Sequence, residues 1–211
     1  MRRCLAKAER TIEDRMREEY FDLLPDIRKV GQQLEAEIRY HLLPISKGLN
    51  RYERVVVTSR VKDCESALQK LRGKQEGATF DHDRPERYSL ASLNDLAGVR
   101  VLAFPSKRLT EIDSALRKIF RWTPDPVIGD GEMLAFKYFG YCKASRKIKG
   151  EYQIVSMLTG LFWEVEHSAM YKPDAQLRFM AEHRELKQRR ARVLEALKAF
   201  EEEFEDLLPA G

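Results

Sequence analysis

The chain has 211 residues, a formal net charge of +4, 43% hydrophobic and 34% charged residues. That length suits one well-cored domain with helical arms, and no apolar run approaches the roughly 20 residues that a bilayer crossing needs, so no membrane partner is expected. The early cations Arg2, Arg3, Lys7 and Arg10 are soon joined by Glu9, Glu13 and Asp14 and lead into no apolar stretch, which argues against a signal or acid-poor transit peptide and makes the cytoplasm the expected compartment.

From Ile12 onward, Ile12, Met16, Tyr20, Leu23, Ile27, Val30, Leu34, Ile38 and Leu42 recur three or four apart, the spacing of one helix face. Pro25 is expected to divide this run into two helices over 11–48, closed by Pro44 and Gly48. Segment 54–58 is short and β-branched, predicting a strand that delivers Ser59 and Arg60 to a helix over 61–71. Segment 73–88, with its Gly, Asp and Arg residues and Pro85, reads as a loop.

Segment 98–104 is apolar except for Arg100, the pattern of a strand buried on both faces. Ile112, Leu116, Ile119 and Phe120 share one side of a crossover helix over 112–120. A Pro/Asp/Gly segment, 123–131, leads to an aromatic strand over 133–142, a basic turn over 143–150 and a strand over 151–156. Strand and helix alternate through this stretch, which predicts a single α/β domain: a mixed sheet with packed helices, its core over 54–173. In a C-terminal helix over 175–208, Val193, Leu197, Phe200, Phe204 and Leu207 repeat in steps of four and three, with Arg190 spoiling the pattern one step earlier. An amphipathic helix packed on its own domain is favoured there over a seam between copies.

Cys4, Cys64 and Cys142 form no CxxC pair and leave an odd residue, so neither a disulfide framework nor a cysteine zinc site is supported. The chemistry lies elsewhere. Arg60 and Lys62 flank the expected strand-to-helix junction, and Ser66 and Lys70 follow Lys62 at steps of four, on one helix face. Converging cations suit polyphosphate, whose charge is spread over many oxygens, although such a face is equally well a solvated helix flank. Asp95 precedes the apolar strand, where a carboxylate can hold Mg²⁺ against phosphate oxygens or simply form a turn. Arg100, costly to bury unpaired, calls for a carboxylate such as Asp95 or Glu151. In the last strand Glu151 and Gln153 share one face; His167 beyond it reads more readily as a helix residue bonded to a neighbour than as a catalytic group.

Taken in order, Arg60-x-Lys62-x-x-x-Ser66-x-x-x-Lys70, Asp95-Leu-Ala-Gly-Val-Arg100, and Glu151-x-Gln153-Ile154 followed by Trp163, Glu166, His167, Tyr171 and Lys172 resemble the RelA/SpoT synthetase family over about 54–173. The resemblance implies a nucleotidyltransferase-like fold and a Mg²⁺-dependent pyrophosphokinase that moves pyrophosphate from ATP to the 3′-hydroxyl of GDP or GTP. By the same resemblance Arg60 stacks on adenine, Lys62, Ser66, Lys70 and Arg100 serve ATP, and Asp95 and Glu151 bind the metal, with Glu151 also drawing the proton from the attacking hydroxyl.

The acceptor half departs from the family pattern of a Gly-Tyr-Arg-Ser-x-His strand. One alignment uses Ala135 to Gly140, with Phe136 as the stacking ring and Lys137, Tyr138, Gln153 and His167 as further acceptor contacts. Another restores Gly140-Tyr141; both lack the histidine. Three readings follow: a small alarmone synthetase forming a homo-oligomer through its terminal helices; a toxin that pyrophosphorylates the 3′ end of tRNA and pairs with an antitoxin protein, with Arg146, Lys147 and Lys149 touching phosphates; and a non-catalytic nucleotide-binding module.

Overall fold

A computed structural model describes residues 11–129, 132–170 and 184–207. Five α-helices and six strands are assigned among them: α1 (Ile12–Lys47), β1 (Arg54–Val61), α2 (Cys64–Gly73), β2 (Ala97–Phe104), α3 (Arg108–Phe120), β3 (Thr123–Pro124), β4 (Val127–Gly129), β5 (Glu132–Cys142), β6 (Ser145–Ser156), α4 (Met157–Met170) and α5 (Arg184–Leu207). The strands form one sheet in the order β1-β2-β6-β5-β3, with β4 antiparallel to β5. The mixed α/β class expected from the alternating pattern is the one found.

The first correction is at Pro25. A single 36-residue helix runs from Ile12 to Lys47 through the proline. Proline removes one helical hydrogen bond and costs about 3 kcal/mol in a helix interior. Against that, Ile12, Met16, Tyr20, Leu23, Ile27, Val30, Leu34, Ile38 and Leu42 are all buried, each contributing roughly 1.5–3 kcal/mol. Pro25 itself is exposed, and so is Phe21, whose carbonyl loses its partner, so water can satisfy it.

Three boundaries also move. Strand β1 continues to Val61 and α2 begins only at Cys64, capped by Asp63, whose carboxylate accepts from the Ser66 backbone N–H at 2.9 Å. Lys62 therefore lies in the link before the helix and not on its face. Helix α3 starts at Arg108, because Arg108 is drawn to Glu53, Nη2 to Oε2 at 2.7 Å. The basic segment 143–150 is mostly strand: β6 begins at Ser145, and Arg146, Lys147 and Lys149 are strand residues. Of the expected C-terminal helix, 175–183 lies outside the described residues.

Over the described residues the chain divides into two compact units, one of 11–34, 59–99 and 139–151, the other of 35–58, 100–138 and 152–207. In the first, Met16, Ile27, Leu68, Leu71, Leu90, Leu93, Leu96 and Ile148 belong to one apolar core. Here α1 anchors the neighbouring segments: Arg17 pairs with Glu65 at 2.9 Å, Arg72 of α2 with Glu13 at 2.9 Å, and Glu19 accepts from the Leu90 N–H at 3.1 Å. In the second, Tyr138 stacks on Tyr152 with ring centroids 4.9 Å apart, beside Phe120 and Trp122.

Helix α4 lies against β2 and β6 at Gly160, where an added Cβ would overlap Leu102 Cδ2 and come within 3.0 Å of Val155 Cγ1. Helix α5 turns only part of its expected seam inward. Phe204 meets Phe104 at 5.1 Å, whereas Val193, Phe200 and Leu207 are exposed. Arg190, the residue that spoils the heptad pattern, instead pairs with buried Glu166 of α4, and Ser156 donates to buried Glu201 at 2.6 Å. No helix among the described residues is long and apolar enough to cross a membrane.

Candidate active site

The first unit assembles the donor-side residues from the end of β1, the start of α2 and the edge of β2. Lys62 is pinned on both backbone sides: its N–H donates to the Leu96 carbonyl at 2.9 Å, and its carbonyl accepts from the buried Tyr20 hydroxyl at 2.9 Å. Its ammonium, almost wholly buried, lies 3.1 Å from Asp95 Oδ2. Lys70, one helical turn beyond Ser66 on α2, reaches the same oxygen at 2.7 Å. Lys62 and Lys70 thus converge even though only Lys70 is on the helix.

Asp95 Oδ1 is buried and has no hydrogen-bond partner. An ionised oxygen left unpaired in that position is costly, and its second lone-pair set is the kind a hard cation takes. Among the described residues no group of three or more His, Cys, Asp or Glu side chains clusters as a metal site. A Mg²⁺ ion bound through one or two carboxylates and completed by phosphate oxygens does not require one, so Asp95 fits that role.

Burial alone would raise the Asp95 carboxyl, but Lys62 and Lys70 outweigh it and hold the group below the usual value of 3.8. A depressed carboxyl contributes stability that is present above 3.8 and lost as pH falls through the lower folded value. The stability gap between the wild type and Asp95→Asn is therefore expected to be flat from pH 7 to 5 and to shrink below 3.8. Urea unfolding of both proteins across that range checks this, and a gap that widened on acidification would contradict it.

Glu151 lies on β6 where that strand passes Gly98 of β2. A Cβ on Gly98 would lie 3.8 Å from the Glu151 carbonyl and 4.0 Å from that of Arg60. The backbones of β1, β2 and β6 therefore meet at this level, with Arg60 and Glu151 on either side of Gly98. Burial alternates along β6: Ile148, Gly150, Tyr152 and Ile154 are buried, whereas Lys149, Glu151 and Gln153 are half-buried on the opposite face. Lys149 donates to Asn94 Oδ1 at 3.3 Å, which ties that face to the residue next to Asp95. Its ammonium also stands 5.2 Å from the Phe139 ring centroid and 5.8 Å from that of Tyr141. Arg60 is exposed at the end of β1, and Ser66 is half-buried with its N–H committed to Asp63.

The second unit holds the remaining predicted residues. Arg100 donates from Nε to Gln153 Oε1 at 3.1 Å and from Nη1 to Glu164 Oε1 at 3.3 Å. Glu164 of α4 is thus a carboxylate partner in addition to the two candidates named from the sequence, and Asp95 is held by the lysines. Lys137 pairs with Asp125 at 2.7 Å. Tyr138 needs correction as an acceptor contact. It is 5% exposed, stacked on Tyr152, and its hydroxyl donates to Asp113 at 2.6 Å. Burial and the Asp113 carboxylate push its phenol up to about 12. Strand alternation turns Phe136 to the same side as Tyr138, away from the face that carries Phe139 and Tyr141. The side chain of His167, and Tyr171 and Lys172, lie outside the described residues.

The structure adds Asn94, Lys149, Phe139 and Tyr141 to the open face of the first unit. Tyr141 was legible through the Gly140-Tyr141 alignment; Asn94 and Phe139 carried no signal of their own.

A mixed sheet that presents an aspartate clamped by two lysines at one strand edge and a glutamate on a neighbouring strand has the fold of the small alarmone synthetases. Small alarmone synthetase 1 from Bacillus subtilis matches with a TM-score of 0.66 at 18% identity over 90% of this chain and 96% of that one. The same protein bound to its product pppGpp matches at 0.64 and 19% identity over the same shares. A GTP pyrophosphokinase family protein from Streptococcus pneumoniae matches at 0.62 and 23% identity over 90% and 93%. No family model and no curated protein matches the sequence.

Proposed function

We propose that the protein is a pyrophosphokinase that transfers the β,γ-pyrophosphoryl group of ATP to the 3′-hydroxyl of a guanine nucleotide. The observation that carries this reading is Asp95, held through Oδ2 by Lys62 and Lys70 while Oδ1 stays buried and unpartnered, three residues before Gly98, where β2 passes the Glu151 backbone of β6. That is a donor set for a metal-bound polyphosphate. Neighbours in fold bound to AMPCPP and to pppGpp support nucleotides as the ligands.

In this reading Arg60 stacks on the adenine, and Lys62 and Lys70 turn part of their charge from Asp95 to the phosphates when ATP enters. Asp95 and Glu151 would hold Mg²⁺, which when bound would supply positive charge against that developing on the phosphate oxygens. The acceptor 3′-oxygen attacks the β-phosphorus of ATP, the bond from that phosphorus to the α,β-bridging oxygen breaks, and AMP leaves. Glu151 takes the proton of the attacking hydroxyl. Holding the reactants in line is the larger part of the catalysis.

The test is incubation with Mg²⁺ and γ-labelled ATP in the presence of GDP, GTP, ADP or deacylated tRNA, with products separated by charge. Label in a guanosine product, with AMP released in equal amount, is expected. Label in tRNA alone would replace the guanine acceptor with the tRNA end, and no transfer to any acceptor would leave a nucleotide-binding module.

A further inference from the structure

Lys62 is held in place by a different means from Lys70. Lys70 belongs to α2, whose own ladder of hydrogen bonds orients it, whereas Lys62 stands in the two-residue link between β1 and α2 and takes part in no ladder. Two bonds fix its backbone: the N–H donates to the carbonyl of Leu96, the residue after Asp95, at 2.9 Å, and the carbonyl accepts from the Tyr20 hydroxyl at 2.9 Å. The second comes from α1, outside both elements that the link joins. Tyr20 is 5% exposed and Lys62 8%, so little water can replace that bond.

We propose that Tyr20 is a positioning residue, whose hydroxyl acts through the Lys62 carbonyl to set the Lys62 ammonium at Asp95 Oδ2. The inference rests on the pyrophosphokinase reading for what binds there, and deepens it by placing part of the donor site's geometry on α1. A buried side chain packed on all sides has few other rotamers open to it, so its end follows its backbone. Without the hydroxyl, the Lys62 carbonyl loses its partner and the link can turn about the remaining Leu96 bond, which carries the ammonium away from Asp95. Lys70 reaches the same oxygen at 2.7 Å from a regular helix, with its side chain 41% exposed. It has no such dependence and serves as the internal control. The ring of Tyr20 has a separate task, since it belongs to the apolar core of the first unit, and Tyr20→Phe keeps that packing while removing the hydroxyl alone.

Two measurements on Tyr20→Phe test this. Amide hydrogen exchange needs no ligand: exchange at the Lys62 N–H is expected to quicken by about threefold to tenfold, the range that one hydrogen bond spans, while the amides of Leu68 and Leu71 in α2 keep their protection. Calorimetric binding of AMPCPP with Mg²⁺ is then compared in Tyr20→Phe, Lys62→Met, Lys70→Met and the two double variants that contain Tyr20→Phe. Tyr20→Phe should weaken AMPCPP by about threefold to tenfold. That penalty should vanish when Lys62 is already replaced and persist in full when Lys70 is, because only Lys62 transmits it. A tyrosine that merely fills the core would cost the same in every background. Unchanged exchange at Lys62, or an equal penalty with and without Lys62→Met, would overturn the inference. A selectively quickened Lys62 amide in a protein whose wild type binds no AMPCPP would keep Tyr20 as the residue that sets Lys62 against Asp95, and would count against the pyrophosphokinase reading alone.

Discussion

Glu151→Gln is expected to lower the rate of pyrophosphate transfer by about 10²–10⁴ and to leave the melting temperature nearly unchanged. The glutamate is half-buried on the open face of β6, so an amide of equal size disturbs no packing. It removes the charge that holds the metal and the basicity that takes the proton. Asp95→Asn should be as damaging to turnover, but not silent in stability. Lys62 is 8% exposed and Asp95 Oδ2 lies 3.1 Å from its ammonium, so the amide strands a buried cation. Breaking a buried pair from one side costs about 3 kcal/mol or more, whereas replacing both partners is often close to neutral. The double variant Lys62→Met with Asp95→Asn should therefore melt closer to the wild type than Asp95→Asn does, while remaining inactive. Calorimetric melting with single-turnover assays on the same preparations decides the matter: near-normal product formation by Glu151→Gln would remove it from the catalytic role, and a double variant less stable than the single one would remove the ion-pair argument.

The parts of the site that were legible in the sequence are those where a residue type and a spacing suffice. Asp95 at the mouth of an apolar strand, and Lys70 one turn past Ser66, need only a strand end and a helix face to come together. The register of Lys62 was misread because Val61 and Lys62 continue smoothly from the β-branched strand; the boundary is marked only by Asp63, whose capping bond to Ser66 sets the first turn of α2. Pro25 misled for the opposite reason. A local rule worth one hydrogen bond was outweighed by nine buried side chains on the same helix, and nothing local announces that. The basic stretch before Glu151 concealed a strand because its lysines are satisfied at a distance, Lys147 by Asp26 and Lys149 by Asn94. Charge density suggested a turn, whereas the buried positions Ser145, Ile148 and Gly150 lay hidden among the cations.

The acceptor ring is where one residue of strand register decides function. Phe136, Tyr138, Phe139 and Tyr141 supply aromatics to both faces of β5, so the sequence offers two platforms of equal appearance. The partner strand separates them: Tyr138 stacks on Tyr152 and bonds Asp113, while Phe139 and Tyr141 lie under Lys149. Tyr141→Ala is expected to raise the acceptor requirement by about fivefold to 150-fold, since a base stacked on an aromatic side chain is worth on the order of 1–3 kcal/mol, and to leave the ATP requirement and melting temperature nearly unchanged. Tyr138→Ala should do the reverse. It empties a buried site beside Tyr152 and removes the hydroxyl bonded to Asp113, so a loss of roughly 3–5 kcal/mol of stability should harm both substrates alike. Acceptor titrations and thermal melts on the two variants distinguish the faces directly. A selective acceptor defect in Tyr138→Ala at a temperature where it remains folded, with Tyr141→Ala behaving as the wild type, would move the acceptor to the opposite side of the sheet and detach it from Glu151.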